Sequence, residues 1–291
     1  MKPSTRPRRS AIYVPADNAR VVDKVRTLAC DAVILDLEDM VAPDAKADAR
    51  AAAVNAVREG NFGHREVVVR VNGLDSRWGI EDLDAVALAR PDAVLVPKVS
   101  VPADLKKARK RLGDGVPLWA MIETAAAILR LDAIGAASAV NGVQAWVIGS
   151  NDLANDMRCG LTVERPGLLT ALSFSVIAAK AYGLSILDGV FNDLANPDGL
   201  ESQCAQGAAL GFDGKTVMHP NQLEITNRAF SPNEAALARA RAIVAAFDAP
   251  ANAGQSVLRV DGHWVERLHC DEAVRLLHVA DTIRIIEQRT R

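Results

Sequence analysis

Glu123 and Asp152 are the residues from which chemistry can first be read. Glu123 ends the apolar run Leu118-Trp-Ala-Met-Ile-Glu-Thr, and Asp152 ends Ala145-Trp-Val-Ile-Gly-Ser-Asn-Asp-Leu. Each run reads as a buried parallel strand, and each carboxylate falls where the strand gives way to a loop. If the two strands are neighbours in a barrel, the acids face one small volume at its mouth. Two carboxylates with few other ligands suit a hard divalent cation such as Mg²⁺, which keeps positions open for substrate oxygens. Either residue alone would be read as a solvated loop acid. The pair, in the same topological place on successive strands, points to a site.

A second acidic group precedes them. The run Ala32-Val-Ile-Leu-Asp-Leu-Glu-Asp-Met-Val ends in Asp36, Glu38 and Asp39. Strand alternation sends Asp36 and Glu38 to one side, Leu37 and Asp39 to the other. Carboxylates this dense repel one another unless cations or donors stand near. Arg70, in Val67-Val-Val-Arg-Val-Asn, supplies a guanidinium at the same level. It can grip a substrate carboxylate with its bidentate fork, neutralise Glu38 or Asp39, or do both. Lys98, in Val96-Pro-Lys-Val, reads equally as an ion-pair partner or a substrate contact. His219, in Met218-His-Pro-Asn-Gln, reads as a general base or as part of a His-Pro turn.

These side chains need a frame, and the chain's periodicity supplies one. Short β-branched runs at 11–14, 32–37, 66–71, 93–96, 118–122, 145–148, 185–187 and 215–218 alternate with Ala-rich amphipathic stretches. The helical stretches are 18–29, 44–58, 80–88, 102–112, 125–137, 167–182 and 197–210. Eight such units with no second compositional regime predict an α/β fold, parallel strands closed into a (β/α)₈ TIM barrel over residues 1–230. The competing doubly wound sheet would bring a Gly-x-Gly-x-x-Gly turn after the first strand, and Val14-Pro-Ala-Asp-Asn-Ala has none. Residues 231–291 form a C-terminal helical and hairpin extension. It comprises a helix over 232–247, a small-residue linker over 248–255, a hairpin around Val260-Asp-Gly-His-Trp and a last helix from about Asp271. So short a segment buries little core alone, so it is expected to pack on a barrel, its own or a neighbour's.

Composition narrows the class. The chain has 291 residues, 49% hydrophobic and 24% charged, ordinary values for an enzyme with a large core. A net charge of −2 gives no general pull toward nucleic acid or an anionic membrane. No apolar run reaches the length of a bilayer span. The basic start, Met1-Lys-Pro-Ser-Thr-Arg-Pro-Arg-Arg-Ser, lacks the apolar segment of a signal peptide and reads as a mobile tail. Cys30, Cys159, Cys204 and Cys270 lie far apart without metal-binding spacing, which fits a reducing cytoplasm.

Eight motifs in order carry a resemblance. They are Arg9-Ser10-Ala-Ile-Tyr-Val-Pro, Leu35-Asp-Leu-Glu-Asp-Met-Val, Arg70-Val-Asn, Val96-Pro-Lys-Val, Met121-Ile-Glu-Thr, Gly149-Ser-Asn-Asp-Leu, Asp188-Gly-Val-Phe-Asn-Asp and Gly214-Lys-Thr-Val-Met-His-Pro-Asn-Gln. Together they resemble the citrate lyase β-subunit-like family, which stands with malyl-CoA and citramalyl-CoA lyases in the HpcH/HpaI aldolase group. The resemblance implies a (β/α)₈ barrel, assembled as a homotrimer or hexamer, that binds Mg²⁺ and cleaves or forms carbon–carbon bonds next to a thioester. Its small-molecule partners would be a 2-oxoacid and a hydroxyacyl-CoA.

By motif, Glu123 and Asp152 match the metal-binding acids, and Arg70 matches the arginine that holds the oxoacid or hydroxyacid. Glu38 and Asp39 match acids that support the metal's waters and Arg70. Arg20 and Lys24, just after the first strand, are the nearest candidates for the coenzyme A phosphates. Lyases of the malyl-CoA type carry a C-terminal Gly-x-Met-Ile-Asp-x-Pro motif, whose Asp reaches a neighbouring subunit's site and handles a proton. Here the corresponding stretch is Gly262-His-Trp-Val-Glu-Arg-Leu, so Glu266 stands where Asp is expected and Leu268 replaces Pro. The expected reaction is Mg²⁺-dependent lysis of a 3-hydroxyacyl-CoA thioester. A pyruvate-type aldolase without coenzyme A, a citryl-acyl-carrier lyase subunit and a non-catalytic ligand-binding homologue remain as alternatives.

Overall fold

The computed structural model of the protein describes residues 6–290, with side chains to 288. Eight parallel strands close into a barrel in sequence order. They are β1 (Ser10–Pro15), β2 (Ala32–Asp36), β3 (Glu66–Arg70), β4 (Ala93–Val96), β5 (Leu118–Ile122), β6 (Val143–Ile148), β7 (Ser185–Asp188) and β8 (Gly214–Val217). The register Ser10↔Lys215 through Ile12↔Val217 between β1 and β8 completes the ring. Helices separate successive strands, so the fold is the expected (β/α)₈ barrel.

The strands are apolar on both faces because both faces are covered. Alternate residues fill the barrel interior, among them Tyr13, Ile34, Val68, Leu95, Trp119, Met121 and Val147. Their neighbours, such as Val33, Leu35, Val69, Val94, Ile148 and Ile186, pack outward under the helices. Full burial of each such aliphatic side chain stabilises by about 1.5–3 kcal/mol. The interior positions continue upward into Asp36 and Arg70, which is how a hydrophobic lattice delivers charge to the mouth.

The N-terminal segment departs from the expected mobile tail. Residues 1–5 lie outside those described, but Arg8 and Arg9 are buried. Arg8 bonds both carboxylate oxygens of Glu66 at 2.7 and 2.8 Å, and its guanidinium carbon lies 5.2 Å from the Trp119 ring centroid. It therefore closes the barrel floor, while Arg9 pairs with Asp31 at 2.9 Å. Gly214 is required beside them, since a Cβ there would meet the Arg8 carbonyl oxygen at 1.8 Å. The stretch 125–137 also differs. It forms two helices, Ala125–Ile128 and Leu131–Val140, and the break leaves Leu129 exposed while Leu131 and Ile134 turn into the core.

A second compact unit begins at Ser231. Its first helix, Glu234–Asp248, starts two residues later than the Ser231-Pro232 signal suggests, because Asn233 is the cap and accepts from Ala236 N at 2.8 Å. The hairpin forms as β9 (Val257–Val260) and β10 (His263–Glu266), with Asp261 and Gly262 at positive φ in its turn. The last helix, Arg267–Thr290, follows β10 directly rather than beginning near Asp271. Ile243, Phe247, Leu258, Val265 and Cys270 make this unit's own small core. Among the described residues no helix is long and apolar enough to cross a membrane.

Candidate active site

The C-terminal ends of β1, β2, β3, β5, β6, β7 and β8 surround a cavity of about 130 Å³. Tyr13, Asp39, Arg70, Glu123, Asn151, Asp152 and Thr216 supply polar lining, while Met40, Met121, Ile148, Val190 and Met218 supply much of the apolar wall. Glu123 follows the last residue of β5 and is buried. Its Oε1 accepts from the Lys98 backbone N–H at 2.6 Å, and no described residue donates to Oε2. Burial, then the nearby negative charge of Glu38, pushes its carboxyl up to about 8. Asp152 stands on the short helix Ser150–Asp156 after β6, with its side chain about half exposed. Gly149 makes the pair possible, since a Cβ there would meet Glu123 Oε2 at 2.2 Å and its Cβ at 2.6 Å.

Lys98 holds the acids from the β4 side. It sits at positive φ, and its Nζ lies 2.5 Å from Glu38 Oε1 and 3.7 Å from Asp152 Oδ2. Burial alone would lower its pKa, but the hydrogen bond and charge of Glu38 outweigh that and push it up to about 12. Glu38 is itself raised, chiefly by burial. Its Oε2 lies 3.1 Å from Arg70 Nη1 yet accepts no hydrogen bond. Lys46 fixes this loop from below, donating to the carbonyls of Leu37 (2.7 Å) and Glu38 (2.6 Å).

Arg70 makes the expected ion pairs with Glu38 and Asp39, at 3.1 and 3.2 Å, but through Nη1 alone. Its fork is closed on Asp36, with Nε–Oδ1 and Nη2–Oδ2 both 2.6 Å, rather than on Glu38 or Asp39. Asp36 is the next inward position after Ile34, so it meets Arg70 across paired strands whose register sets Asp36↔Arg70. The same carboxylate accepts from the backbone of Glu38 (2.9 Å) and Met40 (3.0 Å). Only Nη1 faces the remaining acids, 3.2 Å from Asp39 Oδ2. Asp39 is on the site side despite the alternation rule, because β2 stops at Asp36 and the chain turns. The guanidinium carbon of Arg70 lies 4.8 Å from the Tyr13 ring centroid.

The structure thus brings together Glu38, Asp39, Arg70, Lys98, Glu123 and Asp152. Arg20 and Lys24 lie exposed on the helix Ala19–Val25 after β1, outside the cavity lining. Glu266 is an exposed residue of β10 in the second unit, its backbone N–H bonded to His269 Nδ1 at 2.8 Å. His219 is exposed and caps its own turn, with Nδ1 2.8 Å from Asn221 Oδ1, which favours the structural reading. Sequence reasoning gave no role to Asp36, Tyr13, Gly149 or Ser150. For Tyr13 and Asp36 the signal was available, since both continue the inward alternation of their strands.

A divalent cation fits this donor set. Around the mouth stand five carboxylates, from Asp36, Glu38, Asp39, Glu123 and Asp152, against two cations, Arg70 and Lys98. Glu123 Oε2 and the Asp152 carboxylate lack close donors among the described residues. No cluster of three or more His, Cys, Asp or Glu residues able to hold a metal occurs among them either. Two hard oxygen ligands, with the other positions open, are what Mg²⁺ accepts.

Fold and motifs together define the class: the chain belongs to the HpcH/HpaI aldolase/citrate lyase family, whose model matches residues 9–220. Within it, the chain is 43% identical over 277 residues to a (3S)-malyl-CoA thioesterase of Cereibacter sphaeroides, covering 95% of this chain and 96% of that one. It is 32% identical over 294 residues to the citrate lyase subunit beta of Escherichia coli strain K12, covering 98% and 97%. The structure of protein CitE from Mycobacterium tuberculosis in complex with magnesium, acetoacetate and coenzyme A superposes with a TM-score of 0.78 at 26% identity, covering 96% of this chain and all of that one.

Proposed function

We propose that the protein is a Mg²⁺-dependent carbon–carbon lyase that cleaves, or in reverse forms, a 3-hydroxyacyl-CoA thioester, the products being a 2-oxoacid and an acyl-CoA. The observation that carries this reading is the pair Glu123 and Asp152, short of donors and opening on a cavity with room for a small acid. Glu123 and Asp152 would hold the cation, whose chemistry there is Lewis-acid polarisation of the acid's 2-oxygen. Arg70, locked by Asp36, turns Nη1 toward the acid and the charge it develops. Glu38, buried and held between Lys98 and Arg70, is proposed to support the metal's waters and Arg70. Asp39 and Lys98 hold these groups in register. Arg20 and Lys24 are proposed to meet the coenzyme A phosphates from the exposed helix after β1. Glu266 is proposed to hand a proton to the departing acyl carbon of a neighbouring subunit in a trimer or hexamer.

The likeness to a malyl-CoA thioesterase supports a second reading, in which water attacks the thioester carbonyl and the coenzyme thiol leaves. One incubation separates the two. With malyl-CoA and Mg²⁺, glyoxylate trapped by phenylhydrazine and no free thiol is the lyase result. Free thiol and malate without glyoxylate is the hydrolase result. If malyl-CoA and citramalyl-CoA both remain intact, neither reading survives.

A further inference from the structure

We infer that Tyr13 is a ligand-contacting residue whose phenol hydroxyl donates a hydrogen bond to an oxygen of the small acid bound in the barrel mouth. This rests on the reading of the cavity as a Mg²⁺–oxoacid site and adds to it a specificity-determining donor. Tyr13 occupies an inward position of β1 and lines the cavity together with Arg70, Glu123 and Met121. Its ring is fixed from one face by the Arg70 guanidinium, 4.8 Å from the centroid. Its hydroxyl bonds to no described residue. A buried tyrosine ordinarily finds a partner for its O–H, so one lining a cavity with none is set for a ligand.

The other hydrogen-bond donors of the cavity are already engaged or closed off. The Arg70 fork is committed to Asp36. The Thr216 hydroxyl donates to the Asp188 carbonyl at 3.1 Å. The Asn151 amide faces Asn192. Ser150 Oγ has no partner but is sealed from the cavity's open space, packed so closely on Gly189 that a Cβ there would lie 2.3 Å from it. Among the described side chains this leaves the Arg70 Nη1 edge and the Tyr13 hydroxyl to meet an anionic acid. Burial, with Asp36, Glu123 and Glu38 nearby, holds the phenol above its ordinary range, so it stays a neutral donor. The cation stacked on its ring opposes that shift and sharpens the O–H as a donor.

The test is Tyr13→Phe, which keeps the ring and its stacking on Arg70 and removes one oxygen. Titrations of Mg²⁺-loaded protein with pyruvate, glyoxylate and oxaloacetate should show dissociation constants raised about tenfold, the size of one hydrogen bond to a charged group. The Mg²⁺ affinity and melting temperature should match wild type. Tyr13→Leu, which also removes the ring under Arg70, should lower the melting temperature as well. Oxoacid dissociation constants within twofold of wild type in Tyr13→Phe would overturn the inference while leaving the metal site standing. If wild-type protein with Mg²⁺ binds none of the three acids, the reading of the cavity itself fails and this inference falls with it.

Discussion

Five carboxylates and two cations at the barrel mouth make a site that repels anions until a divalent cation arrives. The expected outcome is ordered binding, in which chelation of Mg²⁺ abolishes pyruvate or glyoxylate binding and Mg²⁺ restores it. An unchanged oxoacid isotherm in EDTA would refute that order. Glu123→Gln should remove Mg²⁺ binding yet leave the melting temperature equal or higher, because burial and the charges of Glu38 and Asp152 already disfavour the ionised form of Glu123. Arg70→Lys cannot rebuild the two-bond fork on Asp36, so the loop carrying Glu38 and Met40 loosens as well as the acid contact. The variant should lose oxoacid affinity at least tenfold and also some thermal stability, which calorimetry would register. A third substitution isolates a position with no chemistry of its own. Gly149→Ala drives a methyl into the Glu123 carboxylate, so it should cost about 1–3 kcal/mol and weaken Mg²⁺ binding together. Loss of stability with Mg²⁺ affinity intact would show that Glu123 is not a ligand.

At the scale of elements, the layer between β7, β8 and the helix Pro197–Leu210 is held by a fully buried network. Asp188 Oδ1 accepts from Arg165 Nη1 at 2.7 Å and Oδ2 from Lys215 Nζ at 2.9 Å, while Lys215 also donates to Gln203 Oε1 at 2.8 Å. Desolvation would raise the Asp188 carboxyl, but Lys215 and Arg165 together hold it below the usual carboxylate range. A depressed folded pKa means that this stabilisation is complete above the unfolded-state value and is lost as pH falls through the folded one. Asp188→Asn should therefore cost about 3–5 kcal/mol at neutral pH, having left two buried cations uncompensated. The gap from wild type should narrow as the pH drops below about 4; a gap that stays constant in denaturant melts from pH 7 to pH 3 would exclude the charged form of Asp188 as its source. None of this network was legible beforehand. Asp188 and Lys215 stood in recognisable motifs, but their pairing depends on β7–β8 register, and Arg165 arrives from a loop 23 residues before Asp188. The strands themselves were legible because burial on both faces writes continuous apolar runs. The break at Leu129–Arg130 was not, since an Ala-rich stretch carries no mark of where its axis turns.

Across the whole molecule, legibility followed where recognition is local. Glu123, Asp152 and Arg70 could be named because each ends an apolar strand, whereas the Arg70–Asp36 fork needs two strands in register to be seen. The tail is the hardest case, because its role depends on a second chain. Glu266 is exposed within its own unit, so nothing in that unit gives its carboxylate a task. If it serves a neighbour's site, Glu266→Gln should abolish turnover while preserving the oligomer and Mg²⁺–oxoacid binding, the amide being nearly isosteric and unable to titrate. Glu266→Asp should retain part of the activity. Mixing inactive Glu123→Ala protein with inactive Glu266→Gln protein under subunit exchange then becomes decisive. In a closed ring, a site joining Glu123 of one subunit to Glu266 of the next is intact in about one case in four at equal mixing. Activity should rise from background toward that fraction of wild type, whereas a site completed within one chain would recover none. Full turnover by Glu266→Gln alone would remove this residue from the reaction and leave the hairpin a structural element.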